Sequence, residues 1–235
     1  MLIDHGGGVW TAGSDMRFPG LVWLPLRMTV IRMSTGELWV CSPIALDPAL
    51  ADEVAALGPV RWLVGPNLLH HLHLRAWSER FPEAELWGSP GLADKRKNLR
   101  FTGTCGGETD PWRAEIESIA IEGSPKIGEV VFFHRASHTL VVADLLFNIL
   151  VTRGFGTPWL LRMMGTYRRF AQSRVWRFTV GDRSALAHSG RKVAALPAKR
   201  VVVAHGEVIT ALAPGALEHA LAWMCNDPKA LPSPA

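Results

Sequence analysis

The chain has no long apolar run, no paired cysteines and no phosphate-binding glycine loop, and each gap removes a class of protein. The longest apolar stretch, LVVADLLFNILV, is broken by Asp144 and Asn148, so nothing approaches the roughly 20 residues of a membrane-spanning helix. Cys41, Cys105 and Cys225 form no CxxC pair and are odd in number, which argues for reduced thiols and against a disulfide framework. The first residues, MLIDHGGGVW, lack the basic start and apolar core of a secretory leader. A cytoplasmic location with no membrane partner is expected. Neither a P-loop nor a GxGxxG turn occurs. Strong charge is also missing, with a net charge of +4 and a pI near 9.2.

What is present is the composition of a globular chain: 235 residues, 48% hydrophobic and 20% charged, enough to bury a full core. Residues 1–25, rich in glycine and aromatics without a clear period, are expected to be an N-terminal extension. LRMTVIRM and LWVCSP read as a hairpin about Ser34-Thr35-Gly36-Glu37. Asp47-Pro48 opens a helix that Gly58 follows. VRWLVG reads as a buried strand, and LLHHLHLRAWSERFP has a helical period that stops at Pro82. ELWGSP and IESIAIEG read as strands, and EVVFFHR and TLVVADLLFN as two more. A helix over 184–196, the strand KRVVVAHG and a last helix after Pro214 complete an α/β pattern. The tail, 227–235, is expected to fray.

Residues 150–197 are expected to form a helical, basic insert or lid. The arginines from Arg162 to Arg177, like Lys95-Arg96-Lys97, read as a solvated face. Nucleic acid is not an expected partner, since that would need the charge on one face with exposed aromatics. The apolar side chains from Trp159 to Met164 leave open a lid or a homodimer surface.

Histidines stand where apolar runs stop. His70, His71 and His73 follow VRWLVG, His138 lies between two apolar runs, and His205 ends RVVVAH. Imidazoles at strand ends are a common way to build a metal site. Asp144, inside an apolar run, needs a strong partner, because burying a lone charge is costly. His73 reads as packing or surface, His134 as solvent-facing, and His5, His188 and His219 as surface groups.

MTVIRM, GELWVCSPI, GPNLLHHLHL, SPGLADKR, EVVFFHRASHTLVVADLLFN and VVVAHGEVI together resemble the metallo-β-lactamase-like superfamily, and within it an uncharacterised domain-of-unknown-function family. The resemblance implies a four-layer αββα sandwich over residues 26–226. It matches Ser137-His138-Thr139 to a Gly-His-Thr ligand element, Asp144 to a metal-bridging aspartate and His205 to the last histidine. The HxHxDH motif is degenerate: its positions become Pro66, Leu68, His70 and His71. The resemblance therefore implies an altered site with one zinc or iron, held by His70 or His71 with Asp144 and His205, and His138 as general acid. Hydrolysis of an ester, thioester, lactone or phosphoester is the expected activity on a small-molecule substrate. The alternative is a metal-free fold that binds a small molecule or a protein.

Overall fold

The computed structural model describes residues 1–226; the tail 227–235 lies outside the described residues. Two sheets face each other. The first holds β1 (Ile3–Asp4), β2 (Val9–Phe18), β3 (Val22–Arg32), β4 (Leu38–Cys41), β5 (Val60–Gly65), β6 (Glu85–Gly88) and β7 (Gly103–Thr104), in that spatial order. The second holds β8 (Ile116–Ala120), β9 (Val130–His134), β10 (Thr139–Val142) and β11 (Arg200–Val203), in the order β11-β10-β9-β8.

Helices α1 (Pro48–Leu57), α2 (Leu74–Arg80) and α3 (Leu92–Lys95) cover the first sheet. Helix α4 (Thr157–Met164) packs on β3, and α5 (Arg183–Ala194) and α6 (Ala216–Cys225) cover the second sheet. A 3-10 helix, Arg174–Phe178, sits between α4 and α5. The result is the αββα sandwich. Its middle layer is aromatic: Trp39, Trp62, Trp112 and Phe132 meet edge to face between the sheets, and all four are buried. Edge-to-face packing sets the positive rim of one ring on the negative face of the next.

Local chemistry accounts for the elements. Asp47 caps α1 by accepting from Ala49 N at 3.0 Å, with Pro48 at the first turn. Strands β4, β5 and β6 run parallel, and β10 and β11 run parallel to each other. The buried residues of β4, β10 and β11 and of β5 from Trp62 onward are continuous, as expected for strands covered on both faces, whereas β6 alternates.

Three stretches differ from expectation. Residues 9–25, expected as an extension, pair along their length: β2 and β3 form one antiparallel hairpin from Val9↔Ile31 to Phe18↔Val22. The run after Pro66 is helical only from Leu74, because Asn67 Oδ1 accepts from Leu69 N and His70 N and holds the preceding residues in a turn. Strand β10 stops at Val142, so Asp144 stands beyond its end and not inside a strand.

Candidate metal centre

The parallel strands deliver their C-terminal ends to one rim. Ser42 follows β4, Asn67 and His70 follow β5, Asp144 follows β10 and His205 follows β11. Three of these side chains meet. His70 Nε2 lies 3.1 Å from His205 Nε2 and 3.4 Å from Asp144 Oδ2, and His205 Nε2 lies 3.2 Å from Asp144 Oδ1. All three are largely buried.

Each is oriented from behind. His205 Nδ1 faces the Pro25 carbonyl at 2.8 Å. A carbonyl only accepts, so Nδ1 carries a proton and Nε2 is the nitrogen turned inward toward His70 and Asp144. Phe147 stacks on this ring at 4.9 Å. His70 Nδ1 pairs with Ser42 Oγ at 2.7 Å, and Ser42 holds a φ of 53°, a conformation that costs a non-glycine residue about 1 kcal/mol or more. Asn67 Nδ2 donates to Asp144 Oδ2 at 2.7 Å and to Glu129 Oε2 at 3.2 Å. Glu129 accepts the backbone N–H groups of Ala143, Asp144 and Leu145, which sets the loop that carries Asp144.

The electrostatics follow from this geometry. Burial alone would raise Asp144, but the His70 charge and hydrogen bonds from His205 and His70 hold its carboxyl well below the usual range. Burial, then the neighbouring Asp144 carboxylate, push Glu129 up to about 8, opposed by the N–H groups of Ala143 and Leu145 and by Asn67.

The donor set fits a metal ion. Two imidazole nitrogens and a carboxylate converge on one point, where a proton or a cation can be shared among them. Ligand atoms about 2.0–2.1 Å from one ion stand roughly 3.0 to 3.4 Å apart in octahedral or tetrahedral geometry. The separations here are 3.1, 3.2 and 3.4 Å. Among the described residues this is the one group of three or more His, Cys, Asp or Glu side chains placed to hold an ion.

His71 and His138, both expected at this site, are not brought to it. His71 Nδ1 accepts from Arg96 Nη1 at 2.7 Å, so its lone pair is engaged elsewhere, although the ring lines the same cavity. Burial, with Lys95 and Arg96 beside it, holds its pKa below the ordinary value. His138 precedes β10 while Asp144 follows it, and the four-residue strand between them alone spans roughly 13 Å. His138 Nδ1 instead donates to Pro197 O at 3.1 Å. Its φ of 51° gives it a conformational role, since histidine tolerates the left-handed turn better than most residues. His134, expected to face solvent, is buried and bonded to Ser137 Oγ at 2.7 Å. The residues that sequence reading missed are Ser42, Asn67 and Glu129. Only Glu129 left a signal: a lone carboxylate at the head of the apolar run VVFF.

The model of a family described as "Domain of unknown function (DUF4336)" matches residues 7–153. The chain belongs to this family. That match covers β2 to β10, with His70 and Asp144, and stops short of His205. No curated protein matches the chain.

Solved structures extend the likeness to the whole fold of this DUF4336 member. The metallo-β-lactamase from Pontibacter korlensis is 15% identical over 97% of this chain and 99% of its own, with a TM-score of 0.65. A putative diflavin flavoprotein fragment from Nostoc is 12% identical over 96% of each chain, with a TM-score of 0.67. The metallo-β-lactamase FIM-1 from Pseudomonas aeruginosa, solved in a mono-zinc form, is 12% identical over 96% of this chain and 94% of its own, with a TM-score of 0.62. The fold is therefore that of the metallo-β-lactamases, and at these identities the likeness extends to the fold alone.

Proposed function

We propose that this protein is a metal-dependent hydrolase that uses one zinc or iron ion, held by His70, Asp144 and His205. The observation that carries the reading is the spacing of their three ligand atoms, which matches coordination to a single ion. Three protein ligands leave a position open, the arrangement of catalytic rather than structural zinc sites. A bound ion there supplies Lewis acidity toward a carbonyl or phosphoryl oxygen.

The cavity beside the triad favours an apolar substrate. It encloses about 310 Å³ and is lined by Met16, Leu26, Ile44 and Leu72 along with the histidines. A second lobe of about 410 Å³ shares Phe18, Leu24, Leu69 and Asp144 with it and runs under α4 and the 3-10 helix. A substrate with an apolar arm fits this shape, its ester, thioester, lactone or phosphoester bond lying at Asp144, where the lobes join. In this reading α4 and the 3-10 helix, not the whole of residues 150–197, act as the cover of the cleft, since α5 packs on the second sheet.

Elemental analysis of untagged protein purified without added metal tests the reading. About one zinc or iron per chain is expected. His70→Ala, Asp144→Asn and His205→Ala should each lose it, and His71→Ala should keep it. Turnover of p-nitrophenyl esters should rise with acyl length and vanish with the metal. A folded wild-type chain without metal would favour the alternative, a metal-free binding module. That alternative draws on Pro66 and Leu68, which stand where the superfamily has ligands.

A further inference from the structure

Exposed apolar side chains stand in the segments that wall the cleft: Phe18, Leu69, Leu72 and Val175 line it, and others lie beside them in the chain. Phe155 is 91% exposed, Phe178 81% and Trp159 66%, and Leu21 and Met163 are also exposed. They belong to one surface. Gly156 N donates to Leu21 O, joining the tip of the β2–β3 hairpin to the start of α4, and α4 packs on the 3-10 helix. Monomeric proteins rarely leave so many large apolar groups together without a partner.

The charge carried by the segment behind this surface is of one sign. Residues 150–180 hold six arginines (Arg153, Arg162, Arg168, Arg169, Arg174 and Arg177) and no acidic residue. The whole chain nets +4, so everything outside this stretch nets two negative charges. All six are exposed. Among the described residues only Arg153 has a carboxylate partner, Asp15. Arg169, Arg174 and Arg177 line a recess of about 210 Å³ against α6, with Trp223 in its wall.

We propose that this face docks on an anionic phospholipid surface, with Phe155, Trp159 and Phe178 entering the headgroup boundary and the arginines meeting lipid phosphates. Aromatic side chains interleaved with arginine are the composition of interfacial binding. No helix of the described residues is long and apolar enough to cross a membrane, so attachment is by surface contact. This revises the expectation of no membrane partner. The cleft opens beneath the same face, so docking would also set the second lobe against the lipid from which an apolar substrate could enter. That last step rests on the hydrolase reading; the docking does not.

Cosedimentation of the full chain with vesicles tests it. Binding is expected with phosphatidylcholine containing about a third phosphatidylglycerol, not with phosphatidylcholine alone, and should weaken as salt is raised. Each arginine near an anionic leaflet is worth roughly fivefold in partition, so Arg174→Ala with Arg177→Ala should cost roughly 25-fold. Phe155→Ser with Phe178→Ser should cost at least as much while leaving thermal melting in place, because both side chains face solvent. Equal binding to both vesicles, or none, overturns the proposal. So does light scattering that shows a dimer disrupted by the phenylalanine pair without vesicle binding, since the face would then cover a second copy. Asp144→Asn separates the two readings: loss of metal with sedimentation intact leaves docking standing. Metal retained by a wild-type chain that ignores anionic vesicles removes docking alone.

Discussion

Asn67→Ala is the substitution with the most to say about this site. Asn67 is fully buried and makes four hydrogen bonds: to Asp144 at 2.7 Å, to Glu129 at 3.2 Å, and from Leu69 N at 2.9 Å and His70 N at 2.7 Å. Bonds to charged groups contribute roughly 1.5–3 kcal/mol each and neutral ones about 1. The four share one side chain and are not additive. Water entering the vacated space would recover part of the loss, so the expected cost is about 3–4 kcal/mol. For a domain of this size that lowers Tm by roughly 6–15 °C. Urea unfolding should show a lower midpoint with an unchanged slope. The same change frees Asp144 and the backbone of His70, so affinity for zinc should fall roughly 10- to 100-fold, the usual cost of losing a group that orients a ligand. A stability loss below about 1 kcal/mol would refute the argument that Asn67 holds the two carboxylates and the histidine turn together.

Gly206→Ala should destabilise strongly, because φ is +110° and an added Cβ would stand 2.1 Å from Asn148 O; loss of soluble expression or a large drop in Tm is the readout, and a near-neutral effect would count against the close approach that seats His205. Thiol titration should show Cys225 reacting first in the native protein and all three cysteines reacting in denaturant. Burial pushes Cys41 and Cys105 well up and shields them completely, whereas Cys225 is only partly covered. Glu129, pushed up to about 8, takes up a proton on folding and adds stability as pH falls below that value; the contribution of the buried histidines runs the other way and should fall as pH drops below about 6.5. Burial holds His134 and His5 below that ordinary value, so the unfolded chain takes up protons there that the folded chain refuses. In a Glu129→Gln background, which removes the opposing group, denaturation midpoints that rise on acidification to pH 5 would contradict this.

The pattern of apolar runs and turn residues carried most of the secondary structure. The Asp47-Pro48 start of α1, the β3–β4 turn and the strands β5 and β11 are all legible locally, because caps, turns and buried strands depend on near neighbours. So was the idea that histidines at strand ends meet Asp144, since β5, β10 and β11 each end in a polar group. The N-terminal hairpin was less legible. Residues 9–18 are strand through pairing with β3, a property of the partner and not of their own period.

Which histidines meet Asp144 was decided only in three dimensions. His70 and His71 are neighbours in the chain, yet the turn held by Asn67 points one toward His205 and the other toward Arg96. His138 matches a ligand motif by spacing, but strand direction sets it at the far end of β10. The residues that orient the triad, Ser42, Asn67 and Glu129, come from three separate strand ends. Local composition determined that this chain would fold as strands under helices with imidazoles at their rims. Tertiary packing selected the three ligand atoms, because a separation near 3 Å between remote side chains depends on strand order and direction, which no local pattern encodes.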